Sequence, residues 1–517
     1  MKSPDYHHHE EFQNRSKKLA EIRALGMDPY PPSFPTTQKA SQLALETEGK
    51  EIGHSEEAGA GSTEHVFISG RLVLFRPMGK NAFGQIQDET GRIQIMFNRD
   101  QTKVKGFHPT EELSHIKFLE KKLDLGDILG IEGHLFRTQK GELTVFAKEV
   151  TLLSKSLLPL PDKHSGLVDR GVRYHKRWLD LITHPESLER FRKRSRILWA
   201  IRNYLEKRGF EEVETPTLQS IYGGAQAEPF ITHLNALKKE MFLRIALEID
   251  LKKLIIGGME RVYEIGRVFR NEGIDRTHNP EFTMLEAYAS RWDYNDMMSF
   301  TEGLFEAVAL FLYADTKVKV QHGEEEVIID LKGPWKRLSM KEAIRVHGNL
   351  DVDKMSDSEL KKALAPFTHL NPHEIQKAPR GILVAKLFEE FAEKKLIQPH
   401  HIIDHPIETT PLCKLHRDPA LRKEGYVERF ESFILGREMC NSYTELNDPE
   451  LQRSLLVEQA QKREAGDKEA SPLDEDFIEA ICQGMPPTGG VGIGIDRLTM
   501  LFTNAETIRD VIFFPLG

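Results

Sequence analysis

Apolar spacing divides the chain into two textures. Between His65 and Leu153, apolar and polar residues alternate in five short runs: HVFISGRLVLFR, FGQIQD, GRIQIMF, DILGIEGHLFRT and GELTVFAKEVTLL. Glycine or polar turns separate them, as expected of half-buried strands. In the third run Ile93, Ile95 and Phe97 share one face, and Gln94 and Met96 share the other. A helical stretch from Thr110 to Leu123 falls between the third and fourth runs. Five short strands with a helix at that point predict an OB-fold, with any other small β-barrel as the alternative. Farther along, residues 188–208 repeat at the helical period, with Ile197, Leu198, Ile201, Tyr204 and Leu205 on one face and Gly209 as the stop. FEEVETPTL follows as a strand that Pro216 interrupts. Arg267 to Tyr288 (RVFRNEGIDRTHNPEFTMLEAY) predicts strand, loop and strand.

These patterns set the domain organisation. Residues 1–63 form an N-terminal extension: a short helix over 12–26 ended by Gly26, then a stretch from Pro29 to Ser62 that reads as loop with room for one short helix. Residues 64–153 are the OB-fold domain. Residues 154–166, with two prolines and no periodicity, are the linker. Residues 167–517 form one large α+β domain, with a helix-rich insertion at about 338–400.

Composition adds limits rather than function. A chain of 517 residues with 39% hydrophobic and 29% charged residues is an ordinary globular protein. No run of about 18 apolar residues predicts a membrane span, and the N-terminus has no apolar core of a signal peptide. Three scattered cysteines fit a reducing cytoplasm and neither a disulfide framework nor a zinc site. The net charge of −9 gives no global nucleic-acid signal, although residues 64–150 are nearly neutral. A nucleic-acid partner must then be held by local patches. One candidate is the basic run from Arg170 to Arg208, which includes Arg173, Lys176, Arg177, Arg190, Arg192, Lys193, Arg194 and Arg196; a solvated helix face explains it equally well.

The chemistry is concentrated in three segments. The loop of Arg267–Tyr288 carries Arg270, Glu272, Arg276, His278 and Asn279 between apolar flanks. Gly489–Asn504 (GGVGIGIDRLTMLFTN) is glycine-rich, but its GxGxG spacing and the 23 residues that follow Gly494 leave no room for a dinucleotide fold. Glycines there let a strand lie against a flat ligand, and Arg497 at the start of the next helix can meet a phosphate. In RFESFILGREMCNSYTELND, Leu435–Gly436 predicts a tight turn that sets Phe433 opposite Glu438 and Glu431 opposite Cys440. Paired carboxylates near a triphosphate are usual Mg²⁺ anchors. For Asn441 to share their face, alternation must break near Cys440, as a bulge allows.

With Pro216 after its helix, these segments resemble the three motifs of class II aminoacyl-tRNA synthetases, and the whole chain is most similar to the bacterial-type lysyl-tRNA synthetases. The resemblance implies ATP-dependent activation of lysine, Mg²⁺ as cofactor, tRNA as partner, a cytoplasmic homodimer, and a catalytic domain built on an antiparallel sheet with helices. It implies that Arg270 and Arg497 are catalytic, and that Arg270, Glu272, His278, Asn279, Phe282, Glu431, Glu438 and Arg497 bind ATP. Glu431 and Glu438 hold the metal in this reading. The lysine pocket becomes Gly224, Glu248, Arg270, Glu286, Tyr288, Asn441, Tyr443 and Glu445, and the anticodon readers become Arg76, Phe83 and Gln94. Two pocket carboxylates, Glu286 and Glu445, suit an ammonium and repel an aspartate side chain. An aspartate or asparagine enzyme of the same subclass, or a non-catalytic RNA-binding relative, is the alternative. The chain departs from the family pattern at Leu247 and Asp250 around Glu248, at Glu228, and at Thr277, where many relatives have arginine and this chain has Arg276 one place earlier.

Overall fold

The structure, a computed structural model, describes residues 4–50, 52, 65–161 and 167–516. Two compact units make up the chain, residues 1–166 and 167–517. The extension stretch at 53–64 and the linker beyond residue 161 lie outside the described residues.

In the first unit, β1 (His65–Met78), β2 (Asn81–Gln87), β3 (Arg92–Asn98), β4 (Ile128–Arg137) and β5 (Leu143–Ser154) form a five-stranded barrel. All neighbours are antiparallel except β3 and β5, whose parallel pairing closes it. The helix read at 110–123 is shorter, His115–Lys122, with Ser114 capping its N-terminus. Alternation works as expected on the inner face, where Ile93, Ile95 and Phe97 join the barrel core. The outer face differs from a plain polar one. Met96 is fully buried there with Phe136 and Phe146, and Phe83 packs against the three. The N-terminal extension contributes to the barrel core through Ile22 on α1 (Glu10–Ala24), then Met27, Ala40 and Leu43.

The second unit is built on an eight-stranded sheet. In chain order its strands are β6 (Glu211–Glu212), β7 (Arg261–Phe269), β8 (Glu281–Ser290), β9 (Lys336–Ser339), β10 (His400–Pro406), β11 (Tyr426–Ile434), β12 (Arg437–Thr444) and β13 (Thr488–Gly494). The spatial order is β9-β10-β11-β12-β13-β8-β7-β6, antiparallel except at the two outer pairs. The segment FEEVETPTL is not one strand. Only Glu211–Glu212 and Leu218–Gln219 pair, on two different sheets, with Pro216 between them. The long helix, α2 (Pro185–Glu206), packs with α3 (Tyr294–Tyr313) on one sheet face; Ile197, Ile201, Leu205, Leu304 and Phe305 are fully buried in that core. The region 338–400 is helical as expected and has its own core around Leu360, Leu383 and Leu387.

The basic run at 170–208 is internal in part. Arg177 is fully buried, donates to the carbonyls of Arg509, Ile512 and Phe513, and pairs with Asp180. Arg173 also pairs with Asp180, Arg194 with Asp496, and Arg170 with Glu506. Arg173, Arg177 and Arg194 are thus committed to the fold, whereas Arg170, Lys176 and Arg196 remain exposed.

Candidate active site

Four central strands form the floor of one cavity of about 380 Å³. Register explains which side chains reach it. Glu286 on β8 lies opposite Gly492 on β13, Gly492 opposite Asn441 on β12, and Asn441 opposite Glu431 on β11. The next row runs Tyr288, Gly490, Tyr443 and Arg429. Residues directly opposite one another share a face, so Glu286, Asn441, Glu431, Tyr288 and Tyr443 converge.

Glu431 faces Asn441, not Cys440 as strict alternation from the turn required. The cause is the expected break in register. Met439 is an extra residue between the pairs Ser432–Cys440 and Phe433–Glu438. The bulge moves Glu438 onto the cavity side, where it joins Glu431 and Asn441. The turn itself is as read, with Leu435 and Gly436 at φ of 56° and 65°.

Gly490 has a different purpose from the one inferred for the glycine strand. A Cβ there would lie 2.1 Å from Glu445 Oε1 and 2.4 Å from the Tyr288 ring. The missing side chain makes room for pocket residues. At Gly492 and Gly494 on the cavity wall a Cβ would make only ordinary contacts, at 3.6 Å or more from Met284 and 3.8 Å or more from Arg497.

At one end of the cavity the groups are buried and bonded to each other. Glu286 accepts from the Leu247 N–H at 2.9 Å and the Tyr288 hydroxyl at 2.8 Å. Its carboxyl is pushed up to about 7 by burial and by the charge of Glu248, against those bonds and Arg270. Glu248 accepts from the Tyr443 hydroxyl at 2.5 Å. Glu445 is almost fully buried and its Oε1 has no partner. Burial holds its carboxyl well above the usual range. Gly224 lines the same end, at φ 84°, and a Cβ there would meet the Glu248 Cβ at 2.9 Å.

Toward the other end exposure rises. Glu272 and His278 are exposed, while Arg270, Phe282, Glu431, Glu438 and Arg497 are half-buried. Arg270 leaves β7 with its guanidinium over the Phe282 ring, 5.2 Å from the centroid, and Nε directed at the Ile245 carbonyl. Arg497 donates to the Glu438 carbonyl and carboxylate, at 2.9 and 3.1 Å, and to His278 Nε2 at 3.1 Å. A guanidinium only donates, so His278 accepts at Nε2 and carries its proton on Nδ1, which is 2.8 Å from Asp275. Burial opposes ionisation of Asp275, but the N–H groups of Thr277 and His278 and the imidazole outweigh it and bring its carboxyl to about 2. Asn279 is buried and donates to the Glu281 carbonyl.

Second-layer contacts position these groups. Asp496 accepts from the Thr283 N–H at 2.7 Å and pairs with Arg194 at 2.6 Å. It thereby joins α2, β8 and the helix α4 (Ile495–Thr503) that carries Arg497. Arg429, which was not singled out from sequence, donates to Glu431 at 2.6 Å and to Asn441 at 3.0 Å. Glu431's carboxyl is nevertheless pushed up to about 7: burial is the largest cause and the charge of Glu438 adds to it, against Arg429.

Every residue assigned to the ATP and amino-acid sites from sequence lines this cavity. Arg276 does not; it points to Glu506 at 3.7 Å. Glu228 lies outside the lining and meets Lys468 at 3.7 Å. Lys252 was missed. It is fully buried behind the wall, with its ammonium against Glu248 and Glu445. On the barrel, Arg76 lies opposite Phe83, Phe83 opposite Met96, and Gln94 donates to Thr144 at 2.9 Å.

Comparison with known proteins agrees with this geometry. Residues 169–517 match the family described as tRNA synthetases class II (D, K and N), and residues 66–153 match the OB-fold nucleic acid binding domain. A lysine–tRNA ligase of Chlamydia caviae is 54% identical over 100% of this chain and 98% of its own length. Lysine–tRNA ligases of Staphylococcus epidermidis (46% identical, 98% of each chain) and Nostoc punctiforme (46% identical, 97% of this chain and 86% of the relative) are also similar. The chain belongs to the class II tRNA synthetases of the D, K and N group and carries an OB-fold nucleic acid binding domain ahead of the catalytic one.

Proposed function

We propose that the protein activates L-lysine with ATP and esterifies the 3′ end of its cognate tRNA with it. The observation that carries this is the buried pair Glu286 and Glu445, with Glu445 Oε1 unpartnered at the closed end of the cavity. An unpaired carboxylate oxygen in a dry site is costly and calls for a cation. An aspartate side chain would add a third charge of the same sign, and asparagine would leave the excess uncompensated.

The carboxylate of lysine is already an anion and needs no protein base to attack. It adds to the α-phosphorus of ATP, the bond to the bridging β-phosphate oxygen breaks, and pyrophosphate leaves. Arg270 can pair with the carboxylate and the α-phosphate together, which offsets the repulsion between two anions. Glu248 and Gly224 receive the α-amino group, Glu286, Tyr288, Asn441, Tyr443 and Glu445 the side chain. Phe282 offers a ring to the adenine opposite Arg270, with Glu272, His278 and Asn279 along the nucleotide. Arg497 exchanges Glu438 for the terminal phosphate. The 3′-terminal ribose hydroxyl of tRNA then attacks the lysyl carbonyl and AMP leaves.

Mg²⁺ fits the Glu431–Glu438 pair. These carboxylates repel each other in a half-buried place where Arg429 and Arg497 only partly compensate them. Among the described residues no cage of three or more protein ligands exists, which suits an ion that takes its other ligands from phosphate and water. When bound it would neutralise phosphate charge. The exposed aromatic group on α2 and α3, with Trp199 and Phe311 rings 4.8 Å apart, supports a homodimer through that face. Arg76, Phe83 and Gln94 on the barrel suit single-stranded anticodon bases. No helix among the described residues is long and apolar enough to cross a membrane, and the cytoplasm is the compartment assigned.

The test is charging of bulk tRNA with each labelled amino acid. Lysine should be attached to tRNA bearing a uridine-rich lysine anticodon. Attachment of aspartate or asparagine instead would overturn the reading.

A further inference from the structure

Lys252 lies one helical turn after Glu248 on the helix Glu248–Ile256 and has no exposed surface. It does not line the cavity. Its ammonium lies over the Tyr443 and Phe477 rings, 5.5 and 5.8 Å from their centroids. Its ammonium sits between Glu248 Oε1 and Glu445 Oε2 and is ion-paired to both. The second oxygen of Glu248 is taken by the Tyr443 hydroxyl. The second oxygen of Glu445 is the unpartnered one, against Gly490.

Charge arithmetic gives this bridge a purpose. With Glu286 and Glu445 ionised, as a bound ammonium requires, three buried carboxylates, Glu248, Glu286 and Glu445, face two fixed cations, Lys252 and Arg270. One negative charge is left over. Free lysine carries one net positive charge, so its arrival makes the site neutral. A side chain without an ammonium leaves the excess in a dry place. Without Lys252, Glu248 and Glu445 would be neighbouring carboxylates with no counter-ion, and one would take a proton. The α-amino end or the side-chain end would then lose its anion.

We propose that Lys252 is a specificity-determining positioning residue: from behind the wall it ties the carboxylate for the α-amino group to the carboxylate for the side-chain ammonium, and leaves one uncompensated charge for the substrate. This deepens the lysine reading above and rests on it. Burial opposes the charge on Lys252, but Glu248 and Glu445 outweigh it and raise its pKa above the usual lysine range. At Glu445, Lys252 is the largest influence opposing the effect of burial.

The experiment uses the full chain and amino-acid-dependent ATP–pyrophosphate exchange, comparing wild type with Lys252→Met, which keeps volume and removes charge. The lysine KM should rise about 30-fold or more, while the ATP KM stays within about twofold. Discrimination of lysine against norleucine should fall about tenfold or more. A lysine KM within about twofold of wild type overturns the proposal, as does a uniform loss in kcat and both KM values. If Lys252→Met does not fold, Lys252→Gln, which keeps hydrogen bonding without charge, is read by the same criteria. If neither folds, Lys252→Ala is assayed with added propylammonium: restored lysine-dependent exchange, not matched by propanol, supports the proposal, and equal or absent rescue overturns it. Failure of the wild-type protein to exchange with lysine rejects the lysine reading itself, whereas normal wild-type exchange with an unaffected variant rejects only the role of Lys252.

Discussion

The two ends of the cavity solve recognition in opposite ways. At the amino-acid end Glu248, Glu286, Tyr288, Tyr443 and Glu445 are all buried and largely held by one another and by Lys252. At the nucleotide end Glu272 and His278 are exposed, and Arg429 and Arg497 are paired with Glu431 and Glu438. The difference follows from the ligands proposed. A lysine is small and must be told apart from other amino acids, so its pocket is rigid, dry and one positive charge short. ATP brings several charges of its own. Its site keeps cations parked on carboxylates, and binding replaces one anion by another. Preorganisation concentrates specificity at the first end, and charge exchange concentrates catalysis at the second.

The sharpest way to break this division is Arg270→Ala, because Arg270 is the group placed between the two ends. Single-turnover adenylate formation should fall about 1,000-fold or more, since removing even one preorganised donor costs about 100- to 1,000-fold. A rate within about tenfold of wild type would mean that the two ends are not joined through this side chain. Glu286→Gln should act on one end alone. Breaking a buried charge pair costs about 3–5 kcal/mol, about 100- to 3,000-fold in lysine kcat/KM. The ATP KM should barely move, and equal damage to both substrates would erase the distinction drawn here.

Phe83→Ala is the control that neither end should notice. Base stacking is worth about 1–3 kcal/mol, so tRNA charging should fall about 5- to 150-fold while pyrophosphate exchange stays normal. Phe83 also packs on Met96, Phe136 and Phe146. Early melting with normal charging of the folded protein would make it a packing residue only.

The smallest effect is in pH. The carboxyl of Glu286 titrates at about 7 when folded and at 4.5 as a free side chain. Between these values the folded protein without lysine holds the extra proton, so its stability from this group falls as pH rises through the window. An incoming ammonium needs Glu286 ionised. Lysine affinity should therefore weaken as pH falls below about 7, by up to about tenfold per unit. Glu286→Gln should remove that slope, and an unchanged slope would place the titration elsewhere.

Much of this site could be read from spacing and residue type. The charged loop after Phe269, the two glutamates around the 435–436 turn and even the bulge that brings Asn441 beside them follow from alternation and its one break. What escaped was whatever depends on distant partners. Lys252 looks like an ordinary helix lysine until the fold brings Glu445, nearly two hundred residues later, against it. Its one local signal was Glu248 four residues before. Arg177 reads as part of a basic patch until the C-terminal carbonyls of Arg509, Ile512 and Phe513 close over it. Gly490 suggests room for a flat ligand, but the room is used by Glu445 and Tyr288. The contribution of Met27, Ala40 and Leu43 to the barrel core was hidden because the helix Ala40–Glu46 that carries the last two is too short to set a period in the sequence.

The central claim is that a buried carboxylate pair one positive charge short selects the amino acid. Pyrophosphate exchange into ATP, measured with purified protein and one amino acid at a time, tests it most directly. The account predicts exchange with lysine and none above background with aspartate, asparagine or norleucine at equal concentration. Exchange driven by aspartate or asparagine, with lysine inert, would contradict it.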